Sequence, residues 1–385
     1  MRNAAWMTTA ILMFGCAQAA PGEDPAGDPG AGAITPAPDG GPPETPDAGF
    51  RACDPHIPAA EGVTISETGA CPGMMPAAAD CAAELTLCSG GTDDNATTVS
   101  AATSDGRGSV VLSCHRMDVG PPVINLLFVP TRSGFVSKAG LGVDVKPLSD
   151  GFVASQGSYV LPPPEYHFLA HDGTLRAAHR GGTLFASATR AVILRASEGQ
   201  LVADSFTADG APAATTVVAT YTGSTGSLMM GGAMNASGAT LLLWQVYGEA
   251  NASARWLAAD GTLSGPQFSI SGWSSSVPAT AALAGGGIAV AAQPPSGVRL
   301  LRWRGVIAPG ETVERPAPAW LTSRADFFLL PGGKAMAFGN EIVGADGTLC
   351  GRVDLGAPMV GVGVDGTAFT ARSLRTFRIY PQLFR

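Results

Sequence analysis

The chain is short of charge. Only 14% of its 385 residues are Asp, Glu, Lys or Arg, against about 25% in an ordinary soluble domain. It also lacks a basic field. Lys and Arg number 23 against 31 Asp and Glu, for a net charge of −8. Six of those acids, Glu23, Asp24, Asp28, Asp39, Glu44 and Asp47, fall in residues 21–50, which hold no Lys or Arg. The rest of the chain is close to neutral, which excludes nucleic-acid binding by phosphate neutralisation. Long apolar runs are missing as well. The longest internal candidate, Ala281–Ala292, is broken by Gly285–Gly287 and falls short of the roughly 18 residues of a membrane-spanning helix. Stripes at 3.6-residue spacing are absent apart from one helix-compatible stretch, Pro76–Leu87, which argues against a helical bundle.

Catalytic motifs are equally scarce. There is no Gly-x-Ser-x-Gly elbow, and Gly332-Gly333-Lys334 lacks the rest of a phosphate-binding loop. No Cys-x-x-Cys pair occurs, and the cysteine spacings match no zinc site. No catalytic residue, metal or cofactor is therefore assigned. His167, His171 and His179 are the clustered histidines. His171 adjoins a turn, so a solvated role is expected rather than metal binding. Glu165, Asp204, Glu249, Asp326, Glu341 and Asp354 are the acids available for a carboxylate pair. They support the alternative reading, an exported hydrolase or lyase with a funnel active site. Trp244, Trp256, Trp273, Trp303 and Trp320 lie in or near strand-like runs, where packing is the expected role. Asn95, Asn235 and Asn251 fit the Asn-x-Ser/Thr pattern, but glycosylation is not the expected role.

An export signal opens the chain. Arg2 precedes the apolar stretch Ala4–Gly15, the pattern of a signal peptide over residues 1–15. Leu12-Met13-Phe14-Gly15-Cys16 is lipobox-like, with Cys16 the residue to be acylated. Ala17 after the cysteine resembles the outer-membrane sorting pattern. The alternative is cleavage after Ala17-Gln18-Ala19, giving a soluble periplasmic or secreted form. Residues 16–50 read as a disordered tether. Pro21–Gly49 holds eight Pro and seven Gly, with Ile34 its only large aliphatic. Such a segment cannot bury enough apolar area to offset its ordering entropy.

Six cysteines remain: Cys53, Cys71, Cys81, Cys88, Cys114 and Cys350. An even number in an exported chain points to disulfides, with connectivity left open. Five lie in a Cys-rich segment, 53–114. If all six are paired, Cys350 bonds to one of those five and ties the far end of the chain to its beginning.

From residue 51 to 385, short β-type runs dominate, among them Val123–Val129, Val192–Arg195, Leu241–Val246 and Phe327–Leu330. Asp-Gly pairs separate them at Asp105, Asp150, Asp172, Asp209, Asp260, Asp346 and Asp365, and read as type I′ hairpin turns. Three pairs sit in a longer repeat. Phe168–Leu175, Trp256–Leu263 and Ile342–Leu349 all end in Asp-Gly-Thr-Leu. Their aspartates recur at intervals of about two 44-residue units, the length of one four-stranded propeller blade. The expectation is an all-β chain folded as a β-propeller of seven blades, each of four antiparallel strands. A pair of β-sandwiches is the alternative.

Lipobox-like Cys16, the tether, the Cys-bearing segment, the Asp-Gly-Thr-Leu hairpins and Pro316-Ala317-Pro318-Ala319-Trp320-Leu321-Thr322 together resemble exported lipoproteins of myxobacterial type. The resemblance implies anchoring and a β fold, and carries no activity. The function expected is a monomeric, membrane-anchored propeller of the cell envelope that binds a protein or glycan. Only its N-terminal lipid touches the membrane.

Overall fold

The computed structural model describes residues 63–384 apart from 77–82, 87–96, 108–109, 117–122, 132–133, 142–144, 157–163, 223–227, 272–276, 293–300, 322–326 and 372–375. The expected signal peptide, Cys16 and the tether lie outside the described residues. So do the side chains of Cys53, Cys81, Cys88 and Cys114.

Two short strands come first, β1 (Thr64–Glu67) and β2 (Ala83–Thr86). The first blade is β3 (Thr97–Ser104), β4 (Val110–Arg116), β5 (Val123–Thr131) and β6 (Gly134–Leu141). The second is β7 (Val145–Leu148), β8 (Gly151–Gln156), β9 (Glu165–Leu169) and β10 (Leu175–Arg180). The third is β11 (Thr183–Ser187), β12 (Arg190–Ser197), β13 (Gln200–Thr207) and β14 (Pro212–Thr220). The fourth is β15 (Leu228–Met234), β16 (Thr240–Val246), β17 (Asn251–Leu257) and β18 (Leu263–Ser271). The fifth is β19 (Ala279–Ala282), β20 (Ile288–Ala292), β21 (Arg302–Ile307) and β22 (Arg315–Pro316). The sixth is β23 (Phe327–Leu329), β24 (Ala335–Phe338), β25 (Glu341–Gly344) and β26 (Leu349–Asp354). Last come β27 (Met359–Val362), β28 (Ala368–Ala371) and β29 (Thr376–Tyr380).

Within each blade, strands pair antiparallel in chain order. The first strand of each blade lies innermost. β3 packs beside β7, β7 beside β11, β11 beside β15 and β15 beside β19. The fifth and sixth blades share a core containing Leu283, Ala289, Met336 and Val343. β23 packs beside β27, and β27 returns to β3. The sheets therefore close in a ring as a β-propeller, not as two stacked layers.

One detail of the expectation is corrected. Six sheets have four strands, and the sixth blade has five because β1 pairs along its outer strand β26. The seventh blade takes its fourth strand from the beginning of the chain, with β2 pairing to β29. That pairing also corrects the helix-compatible reading of Pro76–Leu87, since Ala83–Thr86 is extended. The unpaired edge of β29 supplies backbone partners that outweigh weak local helix propensity.

The apolar pattern explains the packing. Side chains alternate across a strand, and a strand between two blades has no solvent face. In β16, Leu242 and Trp244 join Val192 and Leu194 of the third blade. Leu241 and Leu243 join Ile288 and Val290 of the fifth. Such a strand reads as a continuous apolar run. Each fully buried leucine contributes about 1.5–3 kcal/mol. The outermost β10 and β14 are mostly exposed, which is why alternation is clear only at the rim.

Cys350 pairs with Cys71, with Cα atoms 5.0 Å apart and a sequence separation of 279. Both are buried beside Ala337, Val353 and Leu355.

Two outcomes are expected. Replacing both Cys71 and Cys350 by Ser lowers unfolding free energy by about 2–4 kcal/mol, read from the urea midpoint. Gly361 of β27 lies against β3, where a Cβ would overlap the Ala102 carbonyl oxygen. Gly361→Ala should therefore lower the unfolding free energy by about 1–3 kcal/mol, read from the same midpoint, because backbone rather than a movable side chain meets the methyl.

Candidate functional site

All seven Asp-Gly pairs stand at one end of the ring. Strands alternate in direction, so the turn after a blade's first strand and the turn after its third share an end. Asp105, Asp150 and Asp365 lie in or beside turns of the first kind, and Asp172, Asp209, Asp260 and Asp346 in turns of the second. Asp172, Asp260 and Asp346 belong to the second, fourth and sixth blades, which accounts for the two-unit spacing of the repeat.

The turn type differs from the expected I′. Gly173, Gly210, Gly261, Gly347 and Gly366 have φ between +79° and +88°, while none of the preceding aspartates has positive φ. Each glycine N–H donates to the carbonyl three residues back, as in Gly261 N to Ala258 O at 3.0 Å. These are three-residue hairpin loops with glycine in the left-handed position. The carboxylate supplies the rest. Asp260 Oδ1 accepts from Thr262 N at 2.9 Å and from Thr262 Oγ1 at 2.7 Å. Asp346 and Asp365 hold Thr348 and Thr367 in the same way. A threonine hydroxyl holds the Asp209 and Asp260 carboxyls below the usual carboxylate range, from Thr207 and Thr262 respectively. The Thr348 backbone N–H does the same for Asp346. The acids are thus occupied by their own turns.

The turns also dock onto the preceding blade. A Cβ on Gly210 would meet Phe168 Cγ at 2.7 Å. His179 Nε2 reaches Gly210 O at 2.9 Å and stacks on Phe206 at 4.2 Å. Thr216 Oγ1 donates to Gly261 O at 2.6 Å, and Trp256 Nε1 to Glu311 O at 2.8 Å. Arg190 was not singled out from sequence. Its guanidinium is buried between the third and fourth blades and donates to Ala258 O at 3.0 Å, to Ala259 O and to Ser205 Oγ at 2.8 Å. Burial lowers its pKa, opposed by Asp260. The surrounding Ser187-Ala188-Thr189-Arg190-Ala191 carries no signal of this role.

First-strand turns join around the axis at this same end. Gly106 N donates to Leu148 O at 3.3 Å, and Ser149 N to Ala188 O at 2.6 Å. Asn235 Nδ2 donates to Gly286 O at 2.8 Å, and its Oδ1 accepts from Ala239 N at 3.0 Å. The Asn235 side chain is therefore a buried linker. Val364 N donates to Ser104 O at 3.1 Å, and Ser104 Oγ bonds Asp365.

The three histidines do not converge. His167 meets Glu165 at 3.4 Å, and His179 sits against the aromatic rings. His171 joins a polar knot at the seam of the first two blades, centred on Asp150. Arg107 Nε lies 2.9 Å from that carboxylate, Arg176 2.7 Å and His171 3.6 Å. Among the described residues, no group of three His, Cys, Asp or Glu could hold a metal ion.

The candidate acids are likewise dispersed. Glu165, Asp204 and Glu341 are on third strands, Asp354 on a fourth and Glu249 between strands. Asp326 lies outside the described residues. Asp204 pairs with Arg195 and accepts from Thr215, while Glu165 faces Arg180. The innermost strands carry one charged residue, Lys146. Trp244 and Trp256 are buried between blades. Trp303 and Trp320 pack on Phe327 and Phe338, and Trp273 lies outside the described residues.

No protein-family model matches the chain, and no curated protein matches it. Among solved structures it is similar to prolyl oligopeptidase B from Galerina marginata, at 9% identity and TM-score 0.45, over 71% of this chain and 46% of that one. It is also similar to TolB from Acinetobacter baumannii, at 12% identity and TM-score 0.34, over 68% and 64%. A protein of unknown function from Bacteroides caccae aligns at 11% identity and TM-score 0.34, over 67% and 93%. The chain spans less than half the length of the oligopeptidase. The fold is read from the chain's own sheets.

The turn acids give a signed pH dependence. Their folded pKa values are depressed, so the stabilisation is present above the unfolded value near 3.9 and is lost as pH falls through the folded values. The urea midpoint should fall between pH 5 and pH 3, and Asp260→Asn should flatten that decline.

Proposed function

We propose that this chain is an exported, lipid-anchored binding propeller of the cell envelope, with Cys16 acylated, residues 16–50 as tether and a protein or glycan as partner. The observation that carries binding over carboxylate catalysis is the placement of charge. Six of the seven innermost strands have no charged residue, and no described candidate acid lies on any of them. A glycosidase-like mechanism needs two carboxyl groups flanking one bond, about 5–9.5 Å apart. Here the acids at the blade rims are engaged locally, Asp204 with Arg195 and Glu314 with Arg304 at 2.8 Å. A neutral axial surface suits contact with an extended, weakly charged ligand. The proposal includes an outer-membrane location, supported by Ala17 after the cysteine, and a monomeric state. Several acyl chains at Cys16 would hold the membrane, where one gives only marginal binding.

Two measurements test the reading. Expressed in a Gram-negative host, the wild type should sediment with membranes and show an acylated N-terminal cysteine by mass. Cys16→Ser should move to the soluble fraction. A wild type that is soluble and unacylated overturns the anchor. For the binding role, the full-length protein is screened on a glycan array and crosslinked in an envelope fraction. A saturable partner is expected, and its absence from both screens overturns the role.

A further inference from the structure

The Cys71–Cys350 bond stands at a fork in the chain. Before it, β1 lies along the rim of the sixth blade over four register positions, from Thr64 opposite Asp354 to Glu67 opposite Gly351. Three of its four residues are exposed. Thr68 adds bonds from N to Cys350 O at 2.9 Å and from Oγ1 to Leu349 O at 2.7 Å. Few buried contacts and an exposed ladder mark an element that opens at low free energy. After the bond, β2 completes the seventh blade, again over four positions, from Ala83 opposite Ile379 to Thr86 opposite Thr376. Beside the contact of β27 with β3, this is what closes the ring to the start of the chain. Both attachments are short, and they follow one another along one chain. Without a covalent stop, a disturbance that peels β1 would run on to β2.

The stop is firmly seated. Cys350 is fully buried and Cys71 nearly so, packed with Ile342, Val353 and Leu355 of the sixth blade. A load arriving through residues before β1 passes at Cys71 into β26, which is hydrogen-bonded to β25 on its other side. We propose that this disulfide is a strain-relief clasp: it transfers pull or fluctuation from the preceding segment into the sixth blade, so that the ring-closing strand β2 carries none of it. The clasp requires only that chain precedes β1, whatever anchors that chain. Burial of both sulfurs suits a permanent mechanical bond rather than one exchanged by thiols.

The test pulls the full-length protein in optical tweezers between its N terminus and a handle inserted at the exposed turn 247–250 of the fourth blade. In the wild type the first extension should end at residue 71, and further lengthening should require unfolding of the ring body at higher force. In a Cys71→Ser, Cys350→Ser variant, the first extension should run on through residues 72–96. That adds roughly 80–90 Å at about 3.3–3.6 Å per residue, at lower force than body unfolding. If the variant does not fold, a Cys71→Ala, Cys350→Ala variant, which puts apolar side chains at the two buried positions, takes its place. Opening without the added step in the unbonded protein overturns the proposal, because β2 then needs no protection. The added step in the oxidised wild type overturns it equally, because the bond then bears no load.

Discussion

Each blade has two apolar faces and can cover neither alone. That constraint organises the molecule. The second strands make it plain, since Leu241 and Leu243 turn to one neighbouring blade while Leu242 and Trp244 turn to the other. A sheet of this kind is stable only with a sheet on each side, and a row of such sheets still exposes its two ends. Bending the row into a ring removes the ends. The cost is transferred to one seam, where first and last blades must meet.

Among the described residues, several devices hold the seam. β27 lies on β3 closely enough that Gly361 has no room for a side chain. Asp365 bonds Ser104 across the junction. β2 contributes a fourth strand to the last blade, and the disulfide holds the segment before it on the sixth. The covalent bond is itself buried against the sixth blade.

The Asp-Gly turns show how a charge-poor sequence spends its acids. Six of the seven carboxylates, all but Asp150, accept the N–H two residues on, often with a threonine hydroxyl, while Gly210, Gly261 and Gly347 fit against the previous blade. The end of the ring rich in aspartate is therefore, among the described residues, mostly a set of turns whose acids bond their own backbone.

Strand runs, the spacing of the Asp-Gly-Thr-Leu repeat and the blade length were legible in the sequence because each depends on residues close together in the chain. Alternation, turn propensity and repeat distance survive without knowledge of partners. The turn subtype was not legible, since types I′ and glycine-bulged loops both favour Asp-Gly and only the φ of aspartate separates them. Nor was the strand at Ala83–Thr86, which a distant edge on β29 imposes. Parity tied Cys350 to some early cysteine, yet it could not choose Cys71 among five. That choice was made by β1 finding the rim of the sixth blade. Whether acids or histidines meet is likewise a matter of which blade and which strand they occupy. Composition and spacing thus determined that the chain forms repeated antiparallel sheets. Only the closed ring decided which distant side chains touch, because contacts across its seam join positions nearly 300 residues apart, beyond the reach of any local pattern.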